Sequence, residues 1–144
     1  MLTDDGAVPK QPIQALLQVM KILGIDYGRK RVGVAVSCAC LAEPLLILEN
    51  NPELFAHLQE IITAHRVQEL VVGISEGEMA QVSLEFATKL QQQTGLRVHL
   101  VDETLSTHQV REYLRQLPAK KRRGRIDHYA AAVILQNYLD DLFI

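Results

Sequence analysis

The residues with the greatest chemical reach stand close together near the start of the chain. Asp26 is followed by Arg29, Lys30 and Arg31 within the run Ile22-Leu23-Gly24-Ile25-Asp26-Tyr27-Gly28-Arg29-Lys30-Arg31-Val32-Gly33-Val34-Ala35-Val36-Ser37. Two apolar, Ile- and Val-rich stretches flank a short turn. Burying an unpaired carboxylate inside such a stretch is costly, so Asp26 is expected at a strand end, exposed in a cleft. There it could hold a metal ion beside cations that hold a phosphate, which is an arrangement suited to phosphoryl transfer.

A second cationic cluster comprises Lys120, Lys121, Arg122, Arg123 and Arg125. Three residues in the first cluster and five in the second make eight of the fifteen Lys and Arg residues, although the net charge is only −2. The total charge says nothing about nucleic acid, but its distribution predicts a phosphate-binding face. Two more acids fall at predicted element ends: Glu103 after the fifth strand and Asp127 in the first turn of the last helix. Ligands of α/β sheets bind beyond the carboxyl ends of strands, where Asp26 and Glu103 would project. The alanines that follow Asp127, Ala130 to Ala132, give a slim face that would let the helix lie close to the sheet. Each acid also has a plain structural role open to it: Asp26 capping a turn, Glu103 solvated in a loop, Asp127 complementing a helix dipole. If the three converge, divalent cations must offset their repulsion, and Mg²⁺ suits oxygen ligands of this kind. Two such ions about 4 Å apart could activate a water and stabilise the leaving oxygen of a phosphodiester.

The elements that must position these residues follow from pattern. The runs around the Tyr27–Arg31 turn predict an antiparallel hairpin. In its second strand Val32, Val34 and Val36 alternate with Gly33, Ala35 and Ser37, giving one bulky face and one small enough for close approach of a neighbour. Leu45 to Leu48, after Pro44, predicts a third strand. Asn51-Pro52-Glu53 reads as a helix start, with Asn as N-cap, Pro at the first position and an acid in the first turn. Leu54, Phe55, Leu58, Ile61 and Ile62 form that helix's apolar stripe. Leu70 to Ile74 is apolar on both faces, as a central parallel strand is. A second helix is expected from about Glu78 to Thr94, with Met79, Val82, Phe86 and Leu90 inward and Gly95 as its stop. Val98 to Val101 is the fifth strand. Ser106 and Gln109 predict a capping box for a helix bounded by Pro118, and a last helix begins near Ile126. The order β-β-β-α-β-α-β-α-α predicts an α/β domain with a mixed sheet.

Composition sets limits. At 144 residues, 48% hydrophobic and 22% charged, the chain has the size and balance of one soluble domain. No apolar run approaches the ~20 residues of a membrane span. Asp4 and Asp5, with Gln14 and Gln18 interrupting the apolar segment, do not fit a signal peptide. Cys38 and Cys40 have neither redox nor zinc-site spacing and read as free thiols, which predicts a cytoplasmic location. Residues 1–19 are expected to be an extension to a domain at 20–144. Met20 directly before the first strand suggests that translation begins there, and an intact mass of the endogenous protein would decide it.

Three segments carry a resemblance to the YqgF-type nucleases, also called RuvX, a bacterial branch of the ribonuclease H-like superfamily. They are Leu23 to Ser37, then Val101-Asp102-Glu103-Thr104-Leu105-Ser106-Thr107, then Ile126-Asp127-His128-Tyr129-Ala130-Ala131-Ala132-Val133-Ile134-Leu135. The resemblance implies a ribonuclease H-like fold: a mixed five-stranded sheet, three antiparallel strands then parallel ones, flanked by helices. It implies that Asp26, Glu103 and Asp127 are catalytic and bind metal, Mg²⁺ or Mn²⁺. It also implies hydrolysis of phosphodiester bonds in maturation of the 16S rRNA precursor, or, by older descriptions, resolution of Holliday junctions. RNA is the favoured partner over DNA, within the pre-ribosomal small subunit, with no membrane role and a monomeric or homodimeric state. The chain departs from the family pattern at Gly73-Ile74-Ser75-Glu76-Gly77-Glu78, which is shorter and more acidic than usual, and at Thr104, where many members carry Arg. The acidic loop is expected to contact substrate differently or to bind metal itself. Two other readings stay open: an ATP-using kinase or actin-like ATPase, whose first hairpin also contains Asp-x-Gly, and a non-catalytic RNA- or ribosome-associated factor. Tyr27 could stack on a base or seat on the sheet. His128 could carry a proton or simply be exposed at a helix start.

Overall fold

The structure, a computed structural model, describes residues 20–102, Arg115 and residues 126–142, the last span by backbone alone at 126–128. Its strands are β1 (Ile22–Tyr27), β2 (Arg31–Cys38), β3 (Leu41–Glu49), β4 (Glu69–Ile74) and β5 (Arg97–Asp102). Its helices are α1 (Leu54–His65), α2 (Glu78–Thr94) and α3 (Ile126–Leu142). The strands form one sheet in the order β3-β2-β1-β4-β5. β1, β2 and β3 pair antiparallel, while β4 joins β1 and β5 joins β4 in parallel. This is the mixed sheet expected from the sequence.

Alternation along the strands divides the core between two faces. Leu23, Ile25, Val32, Val34, Val36, Leu70 and Val72 pack against Leu54, Leu58 and Ile62 of α1 and Phe86, Ala87 and Leu90 of α2. On the other face Ile22, Ala35 and Val71 pack against Ala131, Ala132, Ile134, Leu135 and Leu139 of α3. The small face predicted for β2 thus receives a helix. Gly24 shows how tight that approach is: a Cβ there would stand 2.7 Å from Leu135 Cβ and 3.2 Å from the Ala131 carbonyl oxygen. Tyr129 to Leu135 are all buried, so α3 is covered around its circumference through this stretch.

Side-chain hydrogen bonds tie the layers together. The buried Ser37 hydroxyl accepts from the Ile22 N–H at 2.8 Å, fixing the start of β1. On α3, Gln136 accepts from the Ala42 N–H through Oε1 at 2.8 Å and donates from Nε2 to the Cys40 carbonyl at 3.0 Å. One glutamine therefore anchors α3 to the β2–β3 hairpin.

Two boundaries differ from expectation. β3 begins at Leu41 rather than Leu45 and runs through Pro44. Proline is tolerated because β3 is an edge strand of the described sheet, and the register slips between Val34 and Ala35 beside it. Helix α1 begins at Leu54 with Glu53 in the N-cap position, not Asn51. Asn51 instead folds a turn ahead of the helix, its Oδ1 accepting from the Glu53 N–H at 3.0 Å and its carbonyl from the Leu54 N–H at 3.0 Å. Residues 1–19 and the capping box at Ser106 and Gln109 lie outside the described residues. Among those described, no helix is long and apolar enough to cross a membrane.

Candidate active site at the carboxyl edge of the sheet

Asp26 is the next residue after Ile22 and Gly24 on the side of β1 that faces α3. The direction of α3 follows from its contacts. Gln136 meets the β2–β3 hairpin, which closes at the end where β1 begins, since Leu23 pairs with Val36 and Cys38 with Leu41. Ala131 and Leu135 meet Gly24. Helix α3 therefore runs antiparallel to β1. Two strand residues advance about 6.7 Å, which is roughly four to five residues of helix at 1.5 Å each. That step carries the level of Ala131 to residues 126–127 as Gly24 gives way to Asp26. The first turn of α3, with Asp127 in it, thus arrives at Asp26's level.

β5 reaches the same edge. Its last residue, Asp102, pairs with Ile74 at the end of β4, and Val101 packs on the α3 face. Glu103, one residue further, lies outside the described residues, as do Thr104 and the Lys120–Arg125 cluster, while the side chains of Asp127 and His128 are not described. Among the described residues no group of three or more His, Cys, Asp or Glu side chains is placed to hold a metal. Of the three acids, only the half-buried Asp26 carboxylate is described at side-chain level, and an oxygen donor at this edge suits a hard divalent cation.

Asp26 lines an open cleft of about 450 Å³ with Gly28, Arg29, Lys30, Arg31 and Met79. The first cationic cluster and the first acid, neighbours in sequence, thus share one space. The turn that presents them is rigidly built. A Cβ on Gly28 would stand 2.5 Å from the Arg31 carbonyl oxygen, so only glycine fits. Asn50 holds the turn from outside, donating from Nδ2 to the Gly28 carbonyl at 2.7 Å and from its backbone N–H to the Lys30 carbonyl at 2.9 Å. The sequence reading missed Asn50. Its neighbours Asn51 and Pro52 make it read as part of a helix start, and nothing local names the turn 22 residues away as its partner.

The other wall of the cleft belongs to α2. Glu78, its first residue, lies with Oε2 3.5 Å from an Arg29 guanidinium nitrogen. The acidic loop thus reaches a cation of the β1–β2 turn. The Tyr27 ring stacks on Phe86 of α2, centroids 4.1 Å apart at 22°, and Phe86 in turn meets Phe55 of α1 at 5.6 Å.

At the opposite edge His99 Nε2 and Glu69 Oε1 are 2.7 Å apart, and the His99 ring lies 4.9 Å from that of Tyr138 on α3. Burial, seconded by the Glu69 charge and partly offset by Arg97, holds the Tyr138 hydroxyl's pKa above the usual tyrosine value.

The family model for RuvX, described as a Holliday junction resolvase, matches residues 20–141. The chain belongs to the RuvX family. Among RuvX relatives, a protein of Anaeromyxobacter dehalogenans (strain 2CP-1 / ATCC BAA-258) is 36% identical over 84% of this chain and 97% of its own length. One from Moorella thermoacetica (strain ATCC 39073 / JCM 9320) is 38% identical over 85% of this chain and 96% of its own. Both bear the name "Putative pre-16S rRNA nuclease". Solved structures share the fold. Thermus thermophilus RuvC, bound to a Holliday junction substrate, aligns with TM-score 0.58 at 17% identity over 86% of this chain and 96% of its own. The Fowlpox virus resolvase, in complex with Holliday junction DNA, aligns with TM-score 0.60 at 13% identity over 87% of this chain and all of its own.

Proposed function

We propose that this RuvX protein is a divalent-metal-dependent nuclease that hydrolyses phosphodiester bonds during 5′-end maturation of pre-16S rRNA in the cytoplasm. The observation that carries the reading is the antiparallel run of α3 along β1, which brings the helix turn containing Asp127 to the level of Asp26. Asp26, Glu103 and Asp127 would hold one or two Mg²⁺ or Mn²⁺ ions. Bound there, they would supply activation of a water and stabilisation of the leaving oxygen. The chain's own side chains orient the substrate. Arg29, Lys30 and Arg31, on a turn fixed by Gly28 and Asn50, present cations beside Asp26 and hold the backbone phosphate against it. Lys120, Lys121, Arg122, Arg123 and Arg125, which lie outside the described residues, would add further phosphate contacts. Because such contacts go to phosphate rather than to base edges, they position RNA without reading its sequence.

The names borne by the relatives favour precursor 16S rRNA, whereas the family description favours a four-way DNA junction. A Mn²⁺-dependent cleavage assay on both, run side by side, separates the two. Trimming of the rRNA precursor with an intact junction is the expected result, and cleavage of the junction alone would transfer the assignment to DNA. Cleavage of neither would favour a non-catalytic role in ribosome assembly.

A further inference from the structure

The two walls of the cleft are unlike in charge and in construction. The cationic wall is pinned by Asn50 at Gly28 and Lys30, and a side chain at position 28 would collide with the turn itself. The facing wall is Met79 of α2, and that helix is entered through Gly77, whose φ of +71° favours glycine and whose surroundings leave open space within 4 Å of a would-be Cβ. Glu78 follows it, 92% exposed at the side chain, and reaches Arg29, itself 63% exposed. A carboxylate with its oxygen at 3.5 Å from a guanidinium occupies the kind of position a backbone phosphate oxygen would take.

We propose that Glu78 is an internal phosphate surrogate: it occupies Arg29 in the free protein and must be displaced before the cleft grips a nucleic-acid backbone. The proposal rests on the reading of the β1–β2 turn as a phosphate-binding element. With the turn fixed, displacement falls to the Glu78 side chain and to the loop at Gly77. An exposed ion pair is weak, so the competition tunes affinity rather than blocking the site. Any anion that takes Arg29 must meet the same cost of displacing Glu78, and Glu78 is thus a residue that tunes nucleic-acid affinity at this turn.

The test is a double-mutant cycle on the full chain, read as binding of a fluorescently labelled 20-nucleotide RNA by anisotropy, in EDTA so that neither metal nor cleavage contributes. Glu78→Gln is expected to tighten binding roughly two- to five-fold, the range of one exposed ion pair. Arg29→Gln is expected to weaken it. In the Arg29→Gln background, Glu78→Gln is expected to change nothing, because the cation it competes for is gone. Equal tightening with and without Arg29 would overturn the proposal in favour of a diffuse charge effect. No tightening by Glu78→Gln while Arg29→Gln still weakens binding would overturn the competition and leave the turn as a phosphate grip. Indifference to all three variants would remove the turn from nucleic-acid binding, and the proposal with it.

Discussion

Asp26 is the one charged side chain on β1, and its value depends on standing at that strand's end rather than within it. Replacing its carboxylate by an amide preserves shape and removes an anionic oxygen. Asp26→Asn is therefore expected to lower Mn²⁺-dependent RNA cleavage by roughly two to three orders of magnitude. The thermal unfolding midpoint should stay within a few degrees of the parent protein, and an equally large loss of stability would assign Asp26 a structural role instead. Asn50 acts one step removed. Asn50→Ala deletes a partly buried donor to the Gly28 carbonyl, a loss of about 1 kcal/mol in urea unfolding, and should weaken RNA binding by loosening the cationic turn. Tyr138 predicts an alkaline effect. Its pKa is raised in the fold, so its neutral form contributes stability that is fully present below the ordinary tyrosine value near 10. That contribution is lost as pH rises from there through the folded value. Tyr138→Phe should flatten the stability–pH profile in that alkaline window, and an unchanged slope would refute the assignment.

Elements decide how these residues meet. Gly24 touches no substrate, yet it sets how closely α3 lies on the sheet. Gly24→Ala would drive a methyl into Leu135 and the Ala131 carbonyl, costing about 1–3 kcal/mol as overpacking does. By shifting the helix that carries Asp127, it should also lower cleavage more than RNA affinity. At the far hairpin, Ala39 is held at φ +57°, a region that favours glycine. Ala39→Gly should therefore stabilise the protein by about 0.5–1 kcal/mol, measurable in the same urea titration. Much of this architecture was legible in the sequence. Alternation in Val32 to Ser37 showed the two faces of β2, and the double-sided apolar run Leu70 to Ile74 marked a strand inside the sheet. What was not legible depends on partners distant along the chain. The Gln136 bond to the Ala42 N–H spans 94 residues, and no local pattern distinguishes Gln136 from any other polar residue on a helix. The start of α1 was misplaced because an asparagine turn and an asparagine N-cap use the same side-chain oxygen, and only backbone angles tell them apart. The acidic loop ending at Glu78 stood out by its charge, but its partner Arg29 emerged only from the fold.

At the scale of the whole molecule, the sheet order β3-β2-β1-β4-β5 brings the carboxyl ends of three parallel strands to one edge, and α3 delivers its amino end there. A chain of net charge −2 can hold a polyanion only because its cations are gathered rather than spread. RNA affinity should accordingly fall steeply with salt. The central claim is that Asp26, Glu103 and Asp127 share a divalent cation at that edge. The most direct measurement is a crystal soaked in Mn²⁺ and examined by anomalous scattering. The account predicts a peak within coordination distance of carboxylate oxygens from Asp26 and at least one of the other two acids. An ordered ion bound elsewhere, with the Asp26 carboxylate turned away from both partners, would contradict it.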